Sequence, residues 1–265
     1  MPSNGEKYYF VSSLAKGLRT LELLAANGEM SASRMAEELR TSRAASHRFL
    51  NTLRDLGYVE KNEGGRFRLT FKALELGMRK LEGFEIRHVA HPFMQEMALN
   101  FGETVNLGHW DGTAIVHLYK IDSTEILRLD VGLGAIAPAY CTALGKAVLA
   151  FLSEDELNDY FASVTLTARS PKTMTTAARL KTEIEKIRRC GYAIDDEELC
   201  LGLRCVAAPV FDYRGRPAYA LSLSGLTQRM TKEKVDAIQA ELVPLCREIS
   251  RQIGAPEIPN QEAGL

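Results

Sequence analysis

Residues 41–56, TSRAASHRFLNTLRDL, constrain this chain more than any other stretch. Their apolar side chains recur at the spacing of one helix face: Phe49, Leu50, Leu53 and Leu56. The opposite face carries two ring or amide donors, a cation and one small residue: Ala44, His47, Arg48 and Asn51. Such groups can contact base edges and phosphates, and Thr41 and Ser42 can cap the helix. Taken alone, the pattern also fits an amphipathic helix with a solvated polar face.

The neighbouring segments favour the DNA-binding interpretation. Two helices are predicted upstream, one with leucines at helical spacing that ends at Asn27-Gly28, and one that begins at Ser31. The leucines of the first helix are Leu14, Leu18, Leu21 and Leu24. Two short strands follow Gly57 and flank a turn at residues 62–65, beside which lies Arg66. Three helices and a basic hairpin predict a winged helix-turn-helix.

The charge distribution agrees with this prediction. Residues 1–80 carry a net charge of +5 and the rest of the 265-residue chain carries −6, which together give the overall −1. A basic N-terminal part beside an acidic remainder fits a DNA-binding module joined to a second domain. The five cysteines are odd in number and form no Cys-x-x-Cys pair, so neither a disulfide framework nor a zinc site is expected. No stretch has the length and apolarity of a membrane span, and we expect a cytoplasmic protein.

The second domain is predicted to be α+β. Residues 71–82 form a helix with more than one apolar side, which fits either a linker that packs against a second subunit or a helix buried in its own domain. Strands are expected around the hairpin signal Asp111-Gly112, at residues 126–130, and at residues 206–211 and 217–224, whereas residues 132–140 are expected to form a loop. Helices between these strands complete a mostly antiparallel sheet with helical layers.

Motifs along residues 11–254 resemble the IclR family of bacterial transcriptional regulators. The N-terminal motifs are SLAKGL from Ser13, LRDLGYVE from Leu53, GRFRL from Gly65 and LELG from Leu74. The C-terminal motifs are GETVNL from Gly102, TALGKA from Thr142, GYAIDDEE from Gly191, GLRCVAAPV from Gly202 and ALSLSG from Ala220. The resemblance implies a winged helix-turn-helix over residues 11–72, a linker helix over 73–84, and a GAF-like domain over 85–254 that binds an effector and oligomerises. It also implies a homodimer or a tetramer built as a dimer of dimers.

The sequence departs from the family pattern within the predicted recognition helix. Family members often carry a Ser-Thr pair where this chain has Ala44-Ala45, and an aliphatic residue where it has Ser46. Two hydroxyl contacts to DNA are thereby lost. We therefore expect base contacts to depend more on Ser42, Arg43, His47 and Arg48, with Arg66 on the hairpin.

A ligand site is expected in the C-terminal domain. Ser222 and Ser224 lie two apart on a strand, so both hydroxyls face one side of the sheet, although they could simply bond to neighbouring backbone. Family pockets for small carboxylates imply further members at matching positions: Ile126, Leu129, Ala143, Leu144, Asp195 and Cys205. Helix-start N–H groups and two hydroxyls suit a carboxylate, and Asp195 suits a ligand hydroxyl. Lys146 would either supply charge to the site or be solvated.

Other functions rank lower. The segment ALGK from Ala143 lacks the first glycine and the Ser/Thr of a P-loop, and no nucleotide or other cofactor is expected. His88 and His91 are spaced as two metal ligands can be, but no third ligand lies near them. A hydrolase that uses Cys205, Ser222 and Asp195 is a remote alternative, and a constitutive DNA-binding protein with a purely dimerising C-terminal domain is another. We expect a non-enzymatic, nucleoid-associated regulator of a catabolic operon that binds double-stranded operator DNA and a small carboxylic or aromatic acid, and a repressor rather than an activator.

Overall fold

The protein is described by a computed structural model over residues 10–82, 86–125 and 131–256. The chain divides into two compact units, Met1–Phe84 and Glu85–Leu265. The finer domain bounds expected from the sequence, 11–72, 73–84 and 85–254, stay predictions. None of the helices within the described residues combines the length and apolarity that a membrane span requires.

The first unit has the predicted order of helices and hairpin. Its elements are α1 (Ser12–Asn27), β1 (Glu29–Met30), α2 (Ala32–Glu38), α3 (Arg43–Asp55), β2 (Val59–Lys61), β3 (Phe67–Leu69) and α4 (Phe71–Glu82). Ser31 and Ser42 cap α2 and α3 through hydroxyls that accept from the N–H groups of Arg34 and Ala45. The winged helix-turn-helix is therefore confirmed.

The wing contains one strand more than the sequence predicted. Residues Glu29–Met30 pair antiparallel with β3, so the sheet has the order β1-β3-β2. Two residues are too few for an alternating pattern to be detected. The added strand places Met30 beside the buried Phe67 in the core of this unit.

The apolar faces predicted for α1 and α3 do not coincide fully with the faces that are buried. Leu14 and Leu18 of α1 are 62% and 54% exposed, because the buried arc of this helix is centred on Thr20, Leu23 and Leu24 instead. Leu56, expected on the buried face of α3, is 54% exposed just beyond the end of the helix. These leucines line an open groove in the first unit together with Leu76 of α4.

The second unit is a six-stranded antiparallel sheet covered on both faces by helices. Its elements are α5 (Ile86–Phe101), β4 (Thr104–Trp110), β5 (Ala114–Ile121), β6 (Ile136–Pro138), a 3-10 turn (Ala139–Cys141), α6 (Ala143–Leu149), α7 (Glu154–Ser163), α8 (Ala177–Cys190), β7 (Ala193–Asp196), β8 (Leu203–Phe211), β9 (Pro217–Leu226) and α9 (Lys232–Gln252). The strand order is β6-β5-β4-β9-β8-β7. Helices α5 and α9 pack together on one face, and α6 packs on the other face with α8 behind it. The α+β fold with an antiparallel sheet is confirmed.

The edges of this sheet differ from the sequence prediction. Strand β6 lies in the segment that was expected to be a loop, and β7 was not predicted. Both are short and have a neighbour on one side only, so neither carries the pattern of a central strand. The strand expected at residues 126–130 lies outside the described residues.

Candidate functional site

Helix α3 presents its N-terminal half to solvent. Ser42, Arg43, Ala44 and Arg48 are exposed, and His47 and Asn51 are half-buried. The ring of His47 meets the buried Phe67 edge-on, with 6.2 Å between ring centroids, so α3 and the wing meet at this imidazole. The DNA-contact residues predicted on this helix therefore lie on one accessible surface beside the wing.

Ser46 has a structural role rather than a place on that surface. Its side chain is fully buried, and its hydroxyl donates to the carbonyl oxygen of Ala32 at 3.0 Å. This bond joins α3 to the first turn of α2, which fixes the angle between the two helices of the motif. The serine found where relatives often carry an aliphatic residue thus stabilises the core of the unit.

Three arginines on this side of the unit have no acidic partner. Among residues within the described ranges, Arg43, Arg48 and Arg66 form no ion pair, whereas Arg68 contacts Glu60 at 2.6 Å and Glu29 at 3.7 Å. The backbone N–H of Arg66 donates to Asn62 Oδ1 at 2.9 Å, which places this arginine at the turn of the wing. Unpaired guanidinium groups on a helix and on an adjacent turn provide charge that phosphates can neutralise.

The second unit contains a cavity of about 200 Å³ between the sheet and the start of α6. Its wall includes all six of the predicted ligand residues that the structure describes: Ala143, Leu144, Asp195, Cys205, Ser222 and Ser224. Ile126 and Leu129 lie outside the described residues. Sequence reasoning missed three polar residues of the wall: Asn106, His117 and Thr142.

Polar side chains and one thiol of the wall form a row across four adjacent strands. Asp195 of β7 is opposite Cys205 of β8, and Cys205 is opposite Ser224 of β9. On the next strand, Asn106 of β4 is opposite Ser222, and it donates through Nδ2 to Ser224 Oγ at 3.2 Å. Both serines are buried and face the cavity, as their spacing predicted.

The start of α6 approaches the sheet closely. The hydroxyl of Thr142 caps the helix by accepting from the N–H of Gly145 at 3.2 Å, and the backbone N–H of Lys146 closes the first helical bond to the carbonyl of Thr142. The N–H groups of Ala143 and Leu144 precede that bond and have no intrahelical acceptor. A side chain at Gly145 would overlap the backbone of Ala139, so this glycine permits the close packing.

Asp195 contributes a carboxylic acid with a raised pKa to the cavity wall. Its Oδ1 accepts from the backbone N–H of Glu198 at 2.7 Å and of Leu199 at 3.4 Å, and its Oδ2 has no partner within the described part of the chain. Burial raises the pKa of Asp195 to about 7, and the nearby charge of Glu198 adds to the effect.

Lys146 is neither solvated nor part of the cavity wall. Its side chain is fully buried, its Nζ donates to the carbonyl of Ile194 at 2.5 Å, and it forms an ion pair with Glu198. The ammonium group of Lys146 therefore bonds to Ile194 and Glu198, neither of which lines the cavity. None of the wall residues that the structure describes carries a positive charge at neutral pH, because burial and the charge of Lys120 lower the pKa of His117 to about 4.

The thiol of Cys205 is not activated as a nucleophile. Burial raises the pKa of the Cys205 thiol far above its ordinary value, and the negative charge of Asp195 raises it further, so the thiol stays protonated. Metal ligands do not cluster anywhere within the described residues. His91 of the His88/His91 pair has its Nδ1 3.0 Å from the hydroxyl of Tyr119, while His88 is exposed.

Comparisons with known proteins agree with both units. The model of the IclR helix-turn-helix domain matches residues 13–63, and the model of the bacterial transcriptional regulator IclR C-terminal domain matches residues 78–251. The HTH-type transcriptional regulator KdgR of Escherichia coli K12 is 34% identical over 250 residues, which cover 94% of this chain and 95% of that protein. The transcriptional repressor IclR of the same strain is 31% identical over 258 residues, covering 96% and 92%.

The similarity extends to solved structures. The crystal structure of the Thermotoga maritima IclR aligns with a TM-score of 0.78 and 34% identity, covering 91% of this chain and 98% of that one. The matched family consists of regulators that bind DNA and effectors and is not enzymatic. The chain belongs to the IclR family of transcriptional regulators, with an N-terminal helix-turn-helix domain and a C-terminal effector domain.

Proposed function

We propose that this regulator is a repressor of a catabolic operon that binds double-stranded operator DNA through α3 and the wing, and that a small carboxylic or aromatic acid in the cavity of the second unit controls it. The exposed arginines of α3 and the wing, which form no ion pair within the described residues, carry this proposal. Operator DNA as partner implies action at the nucleoid, in the cytoplasm. The repressor assignment follows the printed function of the E. coli relative IclR, and an activator of the same family is the alternative.

The DNA contacts are assigned by exposure and charge. Ser42, Arg43, Ala44, His47, Arg48 and Asn51 would enter the major groove, and Arg66 would reach the backbone beside it. Arg48→Ala should weaken operator binding by roughly 1–3 kcal/mol, about 5- to 150-fold. Arg54→Ala is the matched control, because Arg54 lies on the same helix but is paired with Asp55 at 3.3 Å. Equal loss in both variants, measured by fluorescence anisotropy, would contradict the assigned surface.

The acid would be held by neutral donors. Residues at the start of α6 and on the neighbouring strands line the cavity together: Ala143, Leu144, Asp195, Cys205, Ser222 and Ser224. The backbone N–H groups of α6 and the serine hydroxyls would donate to the acid. A ligand that binds here can release DNA only through its different affinity for two states of the protein.

A titration of operator binding with a panel of small acids tests this site. The double substitution Ser222→Ala and Ser224→Ala should remove the response to the active acid, whereas the exposed Ser163→Ala should leave it intact. If no acid alters operator affinity in the natural protein, the C-terminal unit is purely a dimerising domain and the effector role is wrong.

Dimerisation is supported by the apolar groove of the first unit. Leu14, Leu18, Leu56 and Leu76 expose a continuous apolar surface that a second subunit would cover. Leu18→Glu should therefore lower the dimer fraction in sedimentation, compared with Leu99→Glu, which alters an even more exposed leucine outside the groove. A dimer would place its two α3 helices on half-sites roughly 34 Å apart, and a dimer of dimers would bind two such operators.

A further inference from the structure

Besides Asp195 Oδ2, two buried polar atoms of the cavity wall have no hydrogen-bond partner within the described residues. Asn106 and His117 are only 2% and 7% exposed, and Asn106 Oδ1 and His117 Nδ1 are both unpartnered within the described residues. A buried polar atom without a partner costs about 1–3 kcal/mol. Two such atoms in one cavity wall point to a ligand group that bonds to them.

The sheet register brings these two side chains together. Asn106 and Gly108 are two apart on β4 and therefore face the same side, and His117 of β5 is opposite Gly108. Asn106 and His117 therefore lie on adjacent strands and face the same side of the sheet. A Cβ at Gly108 would lie 2.5 Å from Ile115 Cγ2 and 3.2 Å from Leu144 Cδ1, so these two side chains pack closely over the glycine.

The donors and acceptors that Asn106 and His117 offer to a ligand can be assigned. Asn106 Nδ2 donates to Ser224 Oγ, which assigns the amide orientation and leaves Oδ1 as an acceptor only. The pKa of His117 is lowered to about 4, so the ring is neutral at physiological pH and offers one donor and one acceptor. A group that both donates and accepts complements this pair.

A hydroxyl is that group. A carboxylate only accepts, so it would leave Asn106 Oδ1 unpaired. A hydroxyl donates to Asn106 Oδ1 and accepts from His117 in the tautomer whose Nδ1 carries the proton, whereas an ammonium only donates and would satisfy both atoms only in the other tautomer. The same wall contains the hydroxyl groups of Ser222 and Ser224, which can donate to a carboxylate.

We propose that Asn106 and His117 form a hydroxyl-binding subsite, and that the effector is therefore a hydroxylated carboxylic acid. This inference rests on the proposed role of the cavity as the effector site and specifies the ligand class. The cavity volume of about 200 Å³ is below the roughly 300–1,000 Å³ of pockets for drug-sized ligands, so the acid is small.

Calorimetry on the full-length protein with matched acids tests the subsite. The panel consists of small acids and pairs each unbranched acid with its hydroxylated and its amino-substituted analogue. The best hydroxylated acid should bind about tenfold more tightly than its unsubstituted partner, the value of one net hydrogen bond to a buried group. The amino-substituted acid should show no such gain.

Two substitutions locate the preference. Asn106→Leu and His117→Phe keep the side-chain size and remove the acceptors, and each should reduce the tenfold preference to about twofold or less while the unsubstituted acid still binds. His88→Phe is the matched control, because His88 is exposed on α5. Each variant is a separate test of the subsite. If Asn106→Leu does not fold, the result for His117→Phe still decides the outcome.

The outcomes separate this inference from the function on which it rests. Acids that bind without any preference for the hydroxyl, or a preference that survives both substitutions, would overturn the subsite alone. A gain for the amino-substituted acid would replace the hydroxyl by an ammonium and also overturn it. If no acid binds, or if the Ser222→Ala and Ser224→Ala protein binds all of them unchanged, the effector site itself is wrong and the subsite with it.

Discussion

Asp195 shows how one buried side chain can set the ligand preference of the cavity. Its Oδ1 is occupied by two backbone N–H groups, so its orientation is fixed, while its Oδ2 remains available to a ligand. The pKa of Asp195 lies near 7 because burial disfavours the carboxylate and Glu198 adds repulsion. The ligand therefore meets a neutral acid below that pH and an anion above it.

Acid binding should depend on pH through this residue. A ligand carboxylate stays ionised between about pH 6 and pH 8, whereas Asp195 loses its proton as the pH rises through about 7. The ionised form repels the ligand, so affinity should be highest below pH 7 and fall by up to about tenfold per pH unit above it. Calorimetric dissociation constants across this range measure the effect.

Asp195→Asn is the control for this prediction. Asparagine keeps an oxygen for the two backbone N–H groups and carries no charge, so its affinity should be nearly constant with pH. The other titratable groups nearby are Glu198, which is paired with Lys146, the thiols of Cys141 and Cys205, whose pKa values are raised by burial, and His117, which is neutral across this range. A pH dependence that persists in Asp195→Asn would assign the titration to one of them.

Part of this cavity could be predicted from the sequence, for physical reasons that differ from residue to residue. The common orientation of Ser222 and Ser224 follows from the two-residue repeat of a strand. The partnership of Asn106 and His117 does not, because it depends on the register of β4 against β5, which shifts at an irregularity between Leu107 and Gly108. A single polar residue in an otherwise apolar strand, such as Asn106, is the sequence signal that could have indicated this part of the cavity wall.

At the scale of elements, helix identity was more predictable than helix orientation. Serine caps and apolar spacing located α2 and α3 correctly. The same spacing assigned Leu14 and Leu18 to the core, although the buried arc of α1 lies around Thr20, Leu23 and Leu24. A leucine stripe marks a surface that needs a partner, and the sequence does not say whether that partner is the same unit or a second subunit.

The wing offers a matched test of its DNA contact. Arg66 has no acidic partner in the described part of the chain, whereas Arg68 is bonded to Glu60 and lies near Glu29. Arg66→Ala should therefore reduce the slope of log K against log salt by about 0.9 for each wing that contacts a phosphate. Arg68→Ala removes the same charge but no phosphate contact, so its slope should be unchanged. Anisotropy titrations over a range of salt concentrations decide between the two, and equal slopes in both variants would exclude a specific role for Arg66.

At the scale of the whole molecule, the proposal requires the cavity and the DNA surface to be coupled. The two sites lie in different units, so a ligand in one can affect the other only by favouring one of two states of the protein. Such coupling is a free energy shared by both ligands, and it is reciprocal. The reciprocity can be measured without knowing how the units rearrange.

Measurements of operator binding and of acid binding should therefore give the same coupling factor. If the effector acid weakens operator binding by a given factor, typically 5- to 150-fold for a coupling of about 1–3 kcal/mol, then saturating operator DNA should weaken acid binding by that factor. Calorimetric titration of the acid into free protein and into the protein–operator complex gives the second value, and anisotropy with and without the acid gives the first. Non-specific DNA of equal length is the control, and it should leave acid affinity closer to that of the free protein. An acid that binds equally well to both forms would occupy the cavity without regulating the protein, because a ligand with no differential affinity shifts no equilibrium.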